Sequence, residues 1–452
     1  MVSLNKFFHD LSGVLWGPWL LFLLVGTGIL LTIRLRGIQF RLLFYALRLA
    51  FSKEREGVGD VSHFGALMTA LASTIGVGNI AGVSTAVALG GPGAVFWMWV
   101  TALFGMATKY SEGFLAVRFR QVNPNGEISG GPMFYLEEGL GQKWLGTCFA
   151  VFGALAAFGI GNMVQANTTA EAITQVTGIP KIPVGFLLAW LTALVILGGI
   201  RRIAQVSSIL VPFLVLLYFG GTVIIIAGNL SDLWPGLVSI GQQAFTGAAA
   251  AGGFAGASVT QTIRYGIARG LFSNESGLGS APIAAAAART NQPAKQALVS
   301  MTGTFLDTIV VCSFTALALA ATQAWESGAT GVALTIRAFS AALPGQWGQW
   351  IVTLCIINFA FSTILGWSYY GEKCFEYLAG VRWVRYYRYV WVAFVFLGAV
   401  VKLDLVWNFS DVMNALMAVP NLIGLLLLSG FLVRETGKFE RGIRDGSIDK
   451  FD

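Results

Sequence analysis

Charged residues are scarce in this chain of 452 residues, because Asp, Glu, Lys and Arg together make up only 11% of it. Soluble domains contain roughly 25% charged residues. Hydrophobic residues reach 56%, and the mean hydropathy is +0.71. We therefore expect an integral membrane protein. The apolar runs favour spanning helices of about 20 residues over barrel strands, which alternate over roughly 10 residues.

Histidine and cysteine are too few for most metal, redox or hydrolytic chemistry. The chain has two histidines and four widely spaced cysteines, with no CxxC pair. Neither a disulfide framework nor a zinc or haem site is indicated, and a histidine-based triad has almost nothing to use. A phosphate-binding loop of the GxxxxGK[ST] type is also missing, so the sequence does not indicate an enzyme or an ATP-driven pump.

The net charge of +7 does not indicate nucleic-acid binding, because the basic residues stand in short clusters between apolar runs. Such clusters are typical of the cytoplasmic ends of membrane helices. They predict an outside N-terminus, a cytoplasmic C-terminus and a cytoplasmic cluster from Arg264 to Lys295. Eleven spans satisfy the clusters, at residues 14–33, 61–89, 94–117, 145–176, 183–199, 203–227, 241–270, 297–321, 349–371, 385–402 and 409–432.

Two glycine-rich stretches, Ser73–Asn79 and Gly252–Gly256, interrupt apolar segments at matching places in the two halves. Non-helical backbone at membrane depth survives only where it is buried in protein or lines a cavity. With the first span set aside as an accessory helix, ten spans form two groups of five. Each group begins with a broken helix, as an inverted-repeat transporter requires. The polar stretch Ser273–Gly279 is interpreted as a cytoplasmic turn that caps the second broken helix.

The first break offers ligands for charges of both signs. A half-helix N-terminus favours a carboxylate, and unpaired carbonyls favour a small cation, so the pair fits a zwitterion plus sodium. The Thr74 hydroxyl, the Gly78 backbone and the Asn79 amide are neutral ligands of this kind. For Gly76 and Gly78, the alternative is a helix-packing face of small residues.

Other polar residues stand inside the apolar runs. Gln165 lies near mid-span, where an amide either reaches a cavity or bonds to another helix. Ser362 and Thr363 offer hydroxyls suited to a hard cation, while Trp367 could wall a pocket or mark an interface. Asp307 is the one carboxylate expected at mid-span. Since sodium can be held by neutral oxygens whereas a proton needs a titratable carrier, sodium coupling is favoured.

Several motifs resemble the alanine or glycine:cation symporter (AGCS) family, and the likeness covers nearly the whole chain. They are GGPGAVFWMWVTALFG from Gly90, GFAGAS around Phe254, RGLFSNESGLGSAPIAAAA from Arg269 and STILGWSYYGEKCFEYL from Ser362. The resemblance implies a prokaryotic plasma-membrane protein that takes up alanine or glycine with sodium or, in some members, with protons. It also implies the five-plus-five inverted-repeat fold of the neurotransmitter:sodium symporters (APC superfamily).

The resemblance assigns roles residue by residue. The motif Gly76-Val77-Gly78-Asn79 is similar to the Gly-x-Gly-Asn of that fold, which contacts the substrate carboxylate and sodium. Phe254 and Trp367 would limit the substrate side chain to about a methyl group. The implied substrate residues are Thr74, Gly76, Gly78, Gln165, Gly253, Phe254, Ala255 and Trp367, and the implied sodium ligands are Ala72, Ile75, Asn79, Ser362 and Thr363.

We therefore expect an all-α polytopic membrane protein that cotransports sodium with alanine or glycine by alternating access. A proton-coupled symporter is the alternative, and a channel or receptor-like protein would share the polar cavity without needing paired breaks. The expected partners are a small neutral amino acid and the lipid bilayer, with no nucleic acid. The predicted units are 1–56 (accessory helix and basic linker), 57–229 (first repeat), 230–433 (second repeat) and 434–452 (cytoplasmic tail).

Overall fold

The computed structural model describes residues 2–52, 57–246, 258–401 and 404–448, and most of them are helical. The predicted all-α class is thereby confirmed. A small antiparallel hairpin, β1 (Gln121–Val122) and β2 (Ile128–Ser129), follows the sixth helix. The helices of the first half are α1 (Val2–Leu15), α2 (Pro18–Arg34), α3 (Ile38–Ala50), α4 (His63–Thr74), α5 (Val83–Gly90), α6 (Ala94–Arg118), α7 (Pro132–Phe134), α8 (Lys143–Ala156), α9 (Val164–Thr177), α10 (Lys181–Ile196) and α11 (Gly199–Gly228).

The second half continues with helices of very different length, from a single turn to more than ten turns. Short 3₁₀ turns lie at Ala324–Ser327 and Val381–Trp383. The helices are α12 (Leu230–Thr246), α13 (Val259–Asn274), α14 (Pro282–Ala286), α15 (Pro293–Thr304), α16 (Ser313–Thr322), α17 (Gly331–Ala342), α18 (Trp347–Ala379), α19 (Val384–Val400) and α20 (Asp404–Asp445).

The first predicted break is confirmed. Helix α4 begins at a Ser62 cap whose side chain accepts from the Gly65 amide, and it ends where Ile75 turns extended with ψ of 98°. The chain resumes as a π-helical turn at Gly78–Gly82 and continues into α5, bent by 54° from α4. Further π-helical turns interrupt two long helices, at Ala157–Met163 and Phe305–Cys312. Such turns are often found at functional sites.

A second broken segment lies further along the chain than Gly252–Gly256, where the sequence predicts one. The described part of the predicted span 241–270 contains α13, an unbroken helix, and the break follows it at residues 275–281, before α14. The stretch Ser273–Gly279 is therefore not a cytoplasmic turn, because its residues are buried inside the protein. Gly252–Gly256 lies outside the described residues.

The two broken segments run in opposite directions beside each other. The Thr262 hydroxyl, near the start of α13, donates to the carbonyl of Gly90 at the end of α5. At the other end, Ala288, just after α14, pairs with Val61 just before α4. Arg264 therefore lies at the same end of the bundle as Gly90, whereas the charge pattern predicted opposite sides for them. The pattern failed there because α13 begins, rather than ends, near this basic residue.

Two helices cover the end of the bundle near Gly90. Helix α12 packs against α16 and α6, and a Cβ on Gly236 would lie 2.3 Å from the Ala320 carbonyl at the end of α16. The segment between Gln323 and Gly345 contains a helix, α17. Its Thr335 hydroxyl lies 2.6 Å from the Ser84 hydroxyl on α5, so α17 rests on the second half of the first broken segment.

By length and composition, five helices among the described residues can cross a membrane. Two bent pairs, α1 with α2 and α4 with α5, bring this number to as many as seven. The predicted count of eleven spans and the five-plus-five repeat stay predictions, as do the four predicted units. Helix α2 packs against α6 and α20.

Candidate functional site

The first break frees two backbone carbonyls. In a regular helix the carbonyl of Ala72 would accept from the amide of Gly76, and that of Ile75 from the amide of Asn79. Instead, the Gly76 amide donates to Asn79 Oδ1 at 2.8 Å, and the Asn79 amide donates to the Gly76 carbonyl at 3.1 Å. The two carbonyls predicted to bind sodium are thus released from their helical donors.

Helix α18 passes directly against this break. A Cβ on Gly76 would lie 2.8 Å from Thr363 Oγ1, and a Cβ on Gly366 would lie 2.0 Å from Ser73 Oγ, so both contacts need glycine. The hydroxyls of Ser362 and Thr363 both donate to the carbonyl of Phe359, one turn earlier in α18. Their oxygens therefore keep lone pairs for a cation. The structure brings the Thr363 hydroxyl against Gly76 in the first break, and Ser362 is its neighbour in α18.

A buried carboxylate joins the first break to the second. Asn79 Nδ2 donates to Asp307 Oδ1 at 2.7 Å, and the hydroxyls of Ser273 and Thr308 donate to Asp307 Oδ2 at 2.9 and 2.8 Å. Asp307 is fully buried within the π-helical turn at the end of α15. Three donors on one carboxylate satisfy an ionised group at this depth. The side chain thus holds two unwound segments in a fixed relation.

The second break is held by charged side chains of α6. It has three positive φ angles, at Glu275 (55°), Gly277 (89°) and Gly279 (84°). The Gly279 amide donates to Glu112 Oε1 at 3.0 Å, and Lys109 Nζ donates to the carbonyl of Glu275 at 3.1 Å. Glu112 and Lys109 are both buried, and neither was predicted as part of a site. They replace the helical hydrogen bonds that the break removes.

Trp367 and Gln165 line neighbouring parts of this region. A Cβ on Gly161 would lie 2.2 Å from the Cβ of Trp367, which places α18 against the π-helical turn in front of Gln165. Trp367 Nε1 donates to Glu275 Oε1 at 3.1 Å. Gln165 Nε2 donates to the Ile160 carbonyl at 3.0 Å, and its Oε1 has no partner among the described residues. That oxygen is a buried acceptor without a donor.

Thr74 faces a narrow cavity on the α4 side of the first break. Its hydroxyl donates to the Ala70 carbonyl at 3.2 Å, and the cavity is also lined by Lys109, Asn274 and Gln296. Gly78, after the break, lies against Phe272 and Ser273 of α13. The first broken segment therefore contacts the second one on both sides of the break.

The whole sequence, residues 1–452, matches the family model described as the sodium:alanine symporter family. The chain belongs to the sodium:alanine symporter family. Among curated relatives, the chain is 54% identical to the sodium/alanine symporter AgcS of Methanococcus maripaludis, over 95% of this chain and 96% of that protein. It is 37% identical to the probable sodium/glutamine symporter GlnT of Bacillus subtilis, over 92% and 87%. The family assignment inferred from the motifs is thereby confirmed.

The family fold is also found in solved transporters of distant sequence. The transporter MhsT in complex with L-phenylalanine is similar with a TM-score of 0.58 at 14% identity, covering 83% of this chain and 90% of that chain. A manganese transporter of Eremococcus coleocola is similar with a TM-score of 0.57 at 13% identity, covering 84% and 83%. These likenesses support the fold of this symporter family member and carry nothing about its ligands.

The predicted site residues divide into three groups. Of the predicted sodium ligands, Asn79 and Thr363 meet at Gly76, and Ala72, Ile75 and Ser362 are their neighbours along α4, the first break and α18. Thr74, Gly78, Gln165 and Trp367 lie around the two breaks, without a contact that tests their roles. Gly253, Phe254 and Ala255 lie outside the described residues. The roles of all these residues stay predictions.

The polar residues at the end of α13 and the start of the second break were not predicted as part of the site. Ser273, Asn274, Glu275 and Ser276 are each 5% exposed or less. A signal was present, because these four polar residues stand directly before two glycines and a run of small apolar residues. Polar residues are expensive in a membrane unless they face a cavity or partners, so their position next to such a run indicated an internal break.

Proposed function

We propose that this member of the sodium:alanine symporter family couples the uptake of alanine or glycine to sodium. The observation that carries the proposal is the pair of released carbonyls, Ala72 and Ile75, beside a hydroxyl of α18 at Gly76. Carbonyl and hydroxyl oxygens are neutral ligands that suit a hard monovalent cation. The proposed sodium ligands are these two carbonyls with the hydroxyls of Ser362 and Thr363. Asn79 supports them by binding the Gly76 amide.

The amino acid is proposed to bind between the same break and the helix pair α8–α9. Its carboxylate would accept from the amides at the start of the π-helical turn, near Gly78, where a half-helix N-terminus favours negative charge. Its ammonium group would donate to Gln165 Oε1, the buried acceptor without a partner among the described residues. The Thr74 hydroxyl and Trp367 would complete the polar and apolar walls.

Substrate size is proposed to be limited to a side chain of about a methyl group. Trp367 is 2% exposed and fixed against Gly161, so its indole cannot retreat toward α8. Phe254 is proposed as the second bulky wall. The relative GlnT is named for glutamine, so substrate size is a point on which members of the family differ.

Alternating access is proposed to occur by movement of the two broken segments relative to the surrounding helices. The segments are antiparallel, cross at their breaks and share the Asp307 side chain. Helix halves joined by unwound backbone can tilt without breaking further hydrogen bonds, because the break residues are already bonded to side chains. We propose a prokaryotic plasma membrane, with the N-terminus outside and the C-terminus in the cytoplasm.

Proton coupling is the alternative, and Asp307 would be its carrier. Against it, the carboxylate already accepts from three donors, which tie it into the contact between the two broken segments. A channel is less well supported, because side-chain contacts close the two breaks. The breaks can also bind ligands without a continuous pore through the protein. Sodium symport accounts for both breaks.

The test is uptake of labelled alanine by purified protein in liposomes. With an inward sodium gradient and equal pH, we expect accumulation above equilibrium, and with choline replacing sodium we expect none. Accumulation driven by a proton gradient in sodium-free buffer would establish the alternative. Equal flux with and without either gradient would instead support a channel. Competition by unlabelled glycine, serine and glutamine would then define the substrate class.

A further inference from the structure

Glu275 is a buried carboxylate for which the proposed transport cycle has no direct use. It is 5% exposed, and its φ of 55° is a left-handed conformation that few non-glycine residues adopt. Its carboxylate accepts from Trp367 Nε1 at 3.1 Å through Oε1 and from Ser280 Oγ at 2.5 Å through Oε2. A residue held in a sparsely populated conformation persists only where its surroundings fix it. Here the fixing contact is with the proposed wall of the substrate site.

The indole of Trp367 is fixed at both ends. At the backbone end, Gly161 leaves room for the Cβ of Trp367 and would clash with it if it carried a side chain. At the ring end, the nitrogen is bonded to Glu275, and the ring of Tyr370 packs edge-on with centroids 5.5 Å apart. A buried indole N–H needs an acceptor, and a carboxylate is the strongest acceptor available to it. Rotation of the ring would break this bond.

Glu275 is itself anchored in the second break. Ser280 donates to its second oxygen, and Lys109 donates to its main-chain carbonyl at 3.1 Å. The carboxylate thus joins α18 to the second broken segment, and any tilt of that segment is passed to the indole. The bond between Glu275 and Trp367 joins side chains of two separate elements. It therefore fixes the position of the indole ring rather than the position of α18.

We propose that Glu275 is a specificity-determining positioning residue, which holds the indole of Trp367 so that the substrate site accepts no side chain much larger than a methyl group. The proposal rests on the proposed function, because it takes Trp367 as a wall of the amino-acid site. Without the carboxylate the ring turns away and the site admits a longer side chain. Glu275 does not touch the substrate and acts through Trp367.

Three variants separate the effect of the position of the Trp367 indole from the effect of the charge on Glu275. Glu275→Gly removes the side chain and suits the left-handed backbone, so it avoids the strain that alanine would add. Glu275→Gln removes the charge but keeps an acceptor for Trp367 and a polar group for Ser280. Ser280→Ala keeps the carboxylate and removes one of its anchors. Glu326→Gln, on an exposed turn of the outer loop, is the matched control.

The experiment measures the KM of sodium-driven uptake for alanine and for 2-aminobutyrate, which has one more methylene. One methylene in a snug pocket changes specificity by roughly 10- to 200-fold. We expect Glu275→Gly to reduce the KM ratio of 2-aminobutyrate to alanine at least about fivefold, on the same scale. Ser280→Ala should shift it in the same direction by less, while Glu275→Gln and Glu326→Gln should keep the wild-type ratio.

The outcomes distinguish this proposal from the function on which it rests. If the wild-type protein shows no sodium-driven alanine uptake, the proposed function fails, whatever the variants do. If the wild type transports alanine and both Glu275→Gly and Ser280→Ala keep its ratio, the positioning role is wrong. A loss of alanine affinity in Glu275→Gln at an unchanged ratio would also overturn it, since the charge would then act on the substrate directly. If Glu275→Gly does not fold, the KM ratio of Ser280→Ala and the alanine affinity of Glu275→Gln still test the positioning role.

Discussion

The side-chain amide of Asn79 donates to Asp307 Oδ1 at 2.7 Å, while its carbonyl oxygen accepts from the Gly76 amide at 2.8 Å. One amide therefore closes the first break on one side and binds the carboxylate that reaches the second break on the other. Ser273 completes the connection by donating to the same carboxylate. Because an aspartate at position 79 has no N–H to donate, the geometry requires asparagine there.

Asp307 is expected to act as a structural acceptor and not as a proton carrier. Asp307→Asn keeps an oxygen for Asn79, and the hydroxyls of Ser273 and Thr308 can turn to accept from the new amide. We expect sodium-driven alanine uptake to persist within about tenfold, since a net hydrogen bond is worth roughly 0.5–1.5 kcal/mol. Asp307→Ala removes the carboxylate acceptor of the Ser273 and Thr308 hydroxyls and leaves Asn79 only the main-chain carbonyl of residue 307, at 3.2 Å. It should lower the melting temperature and abolish uptake.

The control for this pair is the pH profile of uptake. A structural acceptor predicts the same profile for Asp307→Asn as for the wild type. If the asparagine variant exchanged alanine across the membrane but no longer accumulated it under any gradient, Asp307 would carry the coupling ion, and the structural role would be refuted.

Gly76 is expected to tolerate no side chain, because a Cβ there would lie 2.8 Å from Thr363 Oγ1. Gly76→Ala should push α18 away from the released carbonyls and weaken sodium binding. Gly82→Ala is the matched control, since a Cβ at Gly82, six residues on in the same broken segment, meets nothing within 4 Å. In Gly76→Ala we expect the sodium concentration for half-maximal uptake to rise at least about tenfold, which corresponds to 1.4 kcal/mol of binding free energy. In Gly82→Ala it should not change.

Equal behaviour of the two alanine variants would mean that the approach of α18 to the break does not matter for sodium. Gly78→Ala adds an intermediate case, because its Cβ would make ordinary contact with Phe272 at 3.5 Å. Its effect should fall on the KM for alanine rather than on the requirement for sodium.

The Thr363 hydroxyl is expected to bind sodium and not merely to pack. Thr363→Val has nearly the same shape but no oxygen, whereas Thr363→Ser keeps the oxygen and loses a methyl group. Losing one polar ligand should raise the sodium concentration for half-maximal uptake by about 5- to 30-fold in the valine variant, from roughly 1–2 kcal/mol. The serine variant should stay near the wild type. A stronger defect in serine than in valine would show that packing, not the oxygen, is what matters.

The first break could be predicted from the sequence because its cause is local. Ser62 caps the incoming helix, and Gly76, Gly78 and Asn79 interrupt it within four residues. The structure gives α4 and α5 between His63 and Gly90, close to the predicted span 61–89. The role of the Ser362–Thr363 pair could be inferred only from family resemblance, since no local pattern reports that α18 passes the break.

The second break could not be placed, because what stabilises it is distant in sequence. Glu275 is bonded to Lys109 and Trp367, 166 and 92 residues away, and Gly279 is bonded to Glu112. Without those partners, a run of polar residues and glycines looks like a solvated turn. The charge rule strengthened the error, since it assigned Arg264 and Arg289 to one side although a whole broken segment separates them.

Arg120 closes the end of the bundle opposite Gly90. Its guanidinium donates to four carbonyls, at 2.6 Å from Val58, Ala288 and Thr290 and at 2.8 Å from Ala286. Val58 precedes the first broken segment, while Ala286 ends the second one and Ala288 and Thr290 follow it. One side chain therefore ties both segments together. Burial lowers the pKa of this guanidinium and the carboxylate of Asp60 acts against that change, so the group remains charged at neutral pH.

Arg120→Ala is therefore expected to loosen this end of the protein. Each hydrogen bond to a charged group is worth roughly 1.5–3 kcal/mol. The loss of four should therefore strongly favour conformations in which the two broken segments separate at this end of the bundle. In a Cys148→Ser background, a reporter introduced as Ala288→Cys is buried and should react slowly with a polar maleimide. Arg120→Ala should raise that rate at least about tenfold, equivalent to 1.4 kcal/mol.

Arg118→Gln is the control for charge, because Arg118 is exposed two residues earlier and contacts only aromatic rings in its described surroundings. It should leave the rate of Ala288→Cys labelling unchanged. Arg120→Lys is decisive, since one ammonium keeps the charge but has three donors and no planar fork for four carbonyls. If lysine restored slow labelling, charge alone would close this end. If it labelled as fast as alanine, the four directed hydrogen bonds are what hold the two broken segments together.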